Sequence, residues 1–92
     1  MSTHLHPPIT ADYLRSASEV IGAATSVRDA AALWRARDPQ TRVMVVDAID
    51  MRDETPALQL GHRRVYLATS NGHCWSVTDR ADAATALILT ED

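Results

Sequence analysis

The sequence predicts an α+β domain: two N-terminal helices packed on a small, mainly antiparallel sheet, in the order helix, helix, strand, strand, strand, short helix, strand. Three observations carry this. Residues 10–37 place apolar side chains at three-to-four spacing, with capping signals at Thr10 and Ser26. Residues 42–49 and 86–90 are mostly apolar stretches of strand length, the first apolar on both pleat faces. Between them, Asn71-Gly72 is the strongest short-range signal for a hairpin, because both central residues of a type I′ turn need positive φ.

Residues 1–9 read as a flexible arm and residues 10–92 as one domain. His4 and His6 flank Leu5 ahead of Pro7-Pro8, and a pair held so loosely near a terminus is a poor metal site. Thr10 caps a first helix running to about Ala24. Tyr13 or Leu14, Ala17, Val20 or Ile21, and Ala24 form its buried face, and Gly22 is read as its stop. Ser26-Val27-Arg28-Asp29 resembles a capping box with Asp in place of Glu. It opens a second helix that buries Val27, Ala30, Ala31 and Trp34, with Leu33 beside them, and ends before Pro39. Arg42 to Ile49 is apolar on both pleat faces and reads as a central strand. Asp50 to His62 reads as a loop. Asp79 is the expected cap of one or two helical turns ending near Thr85, and Ala86 to Thr90 is the last strand.

The hairpin decides what the candidate chemistry can do. With Asn71-Gly72 as the turn, Thr69 pairs with Cys74 and Ala68 with Trp75. Side chains alternate faces along a strand, so Tyr66, Ala68, Ser70, His73, Trp75 and Val77 share one face. Cys74 lies on the other, with Val65 and Leu67. His73 and Cys74 therefore point apart, which disfavours a Cys–His nucleophile pair or a metal held by both. Cys74 is expected to be a buried structural thiol. Tyr66 and Trp75 form an aromatic patch, a binding surface if the helices cover the other face and core if they cover this one. A chain without Phe favours core. Asp47, Asp50, Asp53 and Glu54 could hold a hard cation, but the spacing is not that of an EF-hand loop and a solvated acidic loop is the simpler reading.

Composition narrows the function further. Of 92 residues 15 are Ala and none is Phe, so the core is thin and dimerisation offers a way to bury more, although no dedicated interface shows in the sequence. All nine basic residues are Arg and they are scattered among twelve acids. There is thus no Schiff-base or phosphate-loop lysine and no electrostatic footprint for nucleic acid. Arg63-Arg64, the one adjacent pair, reads as a solvated strand start. The single Cys makes no disulfide within the chain, and no apolar run approaches membrane-spanning length, so a cytoplasmic protein with no membrane partner is expected. Three glycines, far apart, cannot build a phosphate cradle, and G-x-S-x-G, H-E-x-x-H and C-x-x-C are absent.

Tyr66-Leu67, Gly72-His73-Cys74, Ser76, Thr78-Asp79, Ala84-Thr85, Leu87 and Leu89 resemble a small family of uncharacterised bacterial proteins, a domain of unknown function often encoded among nitrogen-fixation genes. The likeness extends over residues 10–91 and is specific only in the last thirty; Trp75 and the acidic loop depart from it. It implies an accessory role beside a metallocluster enzyme or its assembly, with no activity to transfer. The expectation is a non-enzymatic accessory protein that binds a protein partner, with Tyr66 and Trp75 as its surface. The alternative is a metal or cofactor carrier using Cys74 or His73, helped by His62 or the acidic loop. A Cys74 nucleophile ranks third. The identity of any cofactor is unknown.

Overall fold

In the computed structural model, residues 9–71 and 74–92 are described. The architecture is the expected α+β one, with two helices on one face of a mixed five-stranded sheet. Helix α1 spans Ala11–Ala23 and α2 spans Val27–Arg37. Both begin where the sequence places them. The Thr10 hydroxyl accepts from the Tyr13 N–H at 3.1 Å and the Ser26 hydroxyl from the Asp29 N–H at 3.1 Å, each satisfying an amide the first turn leaves unpaired. The Asp29 carboxylate accepts from the Thr25 hydroxyl. Gly22 does not stop α1: the helix continues to Ala23 and ends on Ala24 in extended conformation.

The strands are β1 (Arg42–Val45), β2 (Leu58–Leu60), β3 (Arg63–Asn71), β4 (Cys74–Val77) and β5 (Ala86–Glu91). Strand β5 lies between β1, which it pairs in parallel, and β3, which it pairs antiparallel. The far side of β3 is shared: β2 pairs with residues 63–65 and β4 with residues 68–71. A 3-10 turn, Ala48–Met51, follows β1, and another, Ala81–Ala83, precedes β5.

Five expectations need correction. Strand β1 ends at Val45 and is an edge, not a centre. Its two apolar faces report two covered sheet faces rather than two neighbouring strands: Val43 packs toward the helices and Met44 toward the 3-10 turn on the opposite side. The stretch read as one loop, Asp50 to His62, contains β2, joined to β3 through Gly61-His62. Gly61 has φ +67° and no other described residue has positive φ, the type II′ pattern. In the β3–β4 pair, Asn71 opposes Cys74 and Ser70 opposes Trp75, a register shifted by two residues, which leaves every side chain on its expected face. Asp79 caps nothing; the second 3-10 turn starts after Arg80 without a side-chain cap. Ile9, assigned to the arm, is buried in the core.

The sheet separates two apolar clusters. Between helices and sheet lie Ile9, Ile21, Trp34, Val65, Leu67 and Leu87 among others. On the opposite face a thinner cluster of Met51, Tyr66, Ala68, Ala86 and Ile88 is covered by the 3-10 turn after β1. Long polar side chains tie the layers. The Arg63 guanidinium donates to the carbonyls of Ile21 (2.7 Å) and Ala24 (2.6 Å) and to the Glu91 carboxylate (2.9 Å). It therefore serves the C-terminus of α1, whose last turn has no basic residue of its own. Arg35 donates twice to the Val43 carbonyl, at 3.1 and 2.7 Å, and so blunts the open edge of β1.

Candidate functional site

Strand β5 pairs with β3 only as far as Ala68, so β3 beyond that residue and its partner β4 extend past the central strand. Side chains there have neighbours on fewer sides, and Cys74, Trp75 and Ser76 are all exposed. Trp75 opposes Ser70 on the face away from the helices and is 42% exposed. The expected core position of Trp75 is thus overturned: the helices cover the odd-numbered face of β3, and among the described residues the 3-10 turn after β1 covers the other only around Tyr66. The turn that crosses this second face carries Ile49, 66% exposed. Val77, half-buried, follows Trp75 on the same face of β4 and packs against the edge of the second cluster.

Tyr66 does not join that surface. It is 1% exposed, packed with Met51, and its hydroxyl donates to the Met51 carbonyl at 3.4 Å. The aromatic patch read from the hairpin divides, Tyr66 into the core and Trp75 toward solvent. The physical reason is the 3-10 turn, which folds over the middle of the face and stops short of its hairpin end.

Cys74 is exposed, not buried; its partner Asn71 lies beyond Ala68, where β5 no longer flanks β3. His73 lies outside the described residues. His62 stands at the opposite end of β3 from Cys74, a separation of nine strand residues or roughly 30 Å, so the two cannot share a ligand. Asp47, Asp50, Asp53 and Glu54 are all exposed. Asp53, Glu54 and Thr55 line a shallow depression with Val77, Thr78 and Asp79, on the sheet face opposite Cys74. No three His, Cys, Asp or Glu side chains converge in ligand geometry among the described residues.

One polar cluster went unseen in the sequence because its members are up to 28 residues apart. The Tyr13 hydroxyl donates to Asp38 Oδ2 at 2.7 Å and accepts from the Trp34 indole N–H at 2.8 Å. Thr41 Oγ1 lies 3.1 Å from the Tyr13 oxygen and donates to Asp38 Oδ2 at 2.6 Å. The Tyr13 and Trp34 rings meet edge to face, 5.3 Å apart, and Arg37 lies over the indole. Every group is satisfied, so the cluster fastens α1 to α2 and to the turn entering β1. Burial, aided by the Asp38 carboxylate, pushes the Tyr13 phenol above its ordinary value of 10.0, against the opposing effect of its Thr41 and Trp34 bonds. A raised folded value means that the stability held by the neutral phenol is complete below pH 10.0 and is lost as pH climbs through the higher folded value. Tyr13→Phe is expected to lower stability by about 1–2 kcal/mol at neutral pH. Urea titrations should show the gap between variant and wild type narrowing above pH 10.

Compared with known proteins, the chain matches no family model, no curated protein and no solved structure. Its function is therefore argued from its own surface. No described helix is long and apolar enough to cross a membrane.

Proposed function

We propose that this protein is a non-enzymatic accessory module that binds another protein through the hairpin end of the sheet face its helices do not cover. The observation that carries the reading is Trp75, a large aromatic side chain 42% exposed on a strand, with Ile49 exposed from the turn that crosses the same face. Interface energy concentrates in such aromatic anchors, and Trp is the residue most enriched among them. Asp53, Glu54 and Asp79 line a depression with Val77, which follows Trp75 on the same strand face, and this acidic flank suits a partner with basic groups around an apolar pocket. The resemblance of the C-terminal third to proteins encoded among nitrogen-fixation genes supports looking for that partner in a metalloenzyme system or its assembly.

The test is native mass spectrometry of tagged wild type and Trp75→Ala, each purified gently from the source organism. The wild type is expected to retain one protein partner in fixed ratio. The variant is expected to lose at least about 2 kcal/mol of binding, a thirtyfold weakening, while its circular dichroism stays unchanged. A partner held equally by the variant would contradict the proposal, as would a bare wild-type chain.

A further inference from the structure

The helices present a second surface. A groove of about 450 Å³ runs along their solvent side, floored by Val20, Ala23 and Ala24 of α1 and walled by Leu33 of α2. It continues toward the start of α2 past Ala32 and Asp29, and its other end is marked by Arg37. Leu33 was expected beside the buried face of α2 but is 54% exposed. Asp29, Leu33 and Arg37 are spaced four residues apart, so they form one row along the helix and all three line the groove. Each charge stands about 6 Å along the axis from Leu33, in opposite directions.

Read in one direction the row is acidic, apolar, basic; read in the other it is basic, apolar, acidic. Such a row is complementary to itself in antiparallel orientation. We infer that the groove receives a second copy of this chain, with the two α2 helices antiparallel about a two-fold axis at Leu33. Closed two-fold pairs use the same patch on both subunits, and this row meets that requirement without any further residue. Leu33 of each copy lies in the groove of the other, where Ala23, Ala24 and Ala32 leave room for it. Asp29 faces Arg37 of the second copy, and the pairing occurs twice. Neither residue belongs to an ion pair within the chain among the described residues: Asp29 accepts from the Thr25 hydroxyl and Arg37 lies over Trp34. Glu19 stands on α1 at the Arg37 end of the groove and opposes the arrival of Asp29.

The dimer is independent of the proposed function, because its surface lies on the opposite side of the sheet from Trp75. If both hold, the dimer carries two outward Trp75 faces and binds a repeated or two-fold partner with avidity.

Sedimentation equilibrium over a wide concentration range tests the inference, with circular dichroism confirming the fold of each variant. Wild type is expected to dimerise and Leu33→Arg to remain monomeric. Asp29→Arg and Arg37→Asp alone each turn two attractions into two repulsions and should weaken the dimer about tenfold. The double variant exchanging the two charges should regain most of that loss, and Glu19→Gln should tighten the dimer. A wild type that is monomeric throughout, a Leu33→Arg dimer as tight as wild type, or a double exchange no better than the single variants would each overturn it. Trp75→Ala is expected to leave the dimer unchanged, which keeps the two surfaces separable.

Discussion

Truncating Trp34 to alanine is expected to lower stability by about 3–5 kcal/mol, the range for removing a large aromatic side chain from a core. In a domain of this size that corresponds to a fall in Tm on the order of 12 °C or more. Trp34 is 2% exposed, packs between the helices and the sheet, and is the donor that fixes the Tyr13 hydroxyl. Its loss opens a cavity and also leaves one acceptor of the Tyr13–Asp38–Thr41 cluster without its partner. Trp75→Ala supplies the internal control. An exposed side chain away from caps and polar clusters costs within about 0.5 kcal/mol, so two substitutions of one residue type should differ several-fold in thermal scans. Equal losses would mean that Trp75 packs as tightly as Trp34.

Replacing Arg63 by methionine is expected to cost about 2–3 kcal/mol. Methionine keeps the apolar stem and removes the guanidinium, leaving the carbonyls of Ile21 and Ala24 without their charged donor. The ion pair to Glu91 lies closer to solvent and contributes little, so Glu91→Gln should change stability by less than about 0.5 kcal/mol. Arg63→Lys should recover only part of the loss, because one ammonium cannot reproduce the fork that reaches two carbonyls and a carboxylate at once. Urea unfolding measures all three. Amide exchange at the end of α1 should accelerate in Arg63→Met before it changes elsewhere. A Glu91→Gln effect as large as that of Arg63→Met would assign the stabilisation to the surface pair instead.

The helices were legible because their signals are local. Thr10 and Ser26 announce caps three residues before the amides they serve, and the three-to-four spacing of Val27, Ala30, Ala31 and Trp34 names the buried face of α2. The alternation in the hairpin was legible for the same reason and survived a two-residue error in register. What the sequence could not show depends on distant partners. Leu58-Gln59-Leu60 is too short and too weakly patterned to stand out as a strand, although Gly61 before Arg63 was a usable hairpin signal. The sidedness of the sheet rests on where residues 46–57 cross it, and nothing in their composition states that Met51 will cover Tyr66 and leave Trp75 open. Arg63 read as a solvated strand start because the carbonyls it serves lie 39 and 42 residues away. Of the candidate site, Trp75 is exposed, Tyr66 passes to the core, and Cys74 proves exposed and belongs to no group of three ligand side chains among the described residues.

The helices cover one face of the sheet, and the other is left uncovered at its hairpin end, where Trp75 stands. Acrylamide quenching of wild type and Trp75→Phe tests it most directly, because the chain has two tryptophans, one buried and one exposed. Two components are expected in the wild type, one readily quenched and one protected. In Trp75→Phe only the protected, blue-shifted emission of Trp34 should remain. Readily quenched emission persisting in Trp75→Phe, or a wild type with both tryptophans protected, would contradict the assignment of the open face and remove the basis for docking through it.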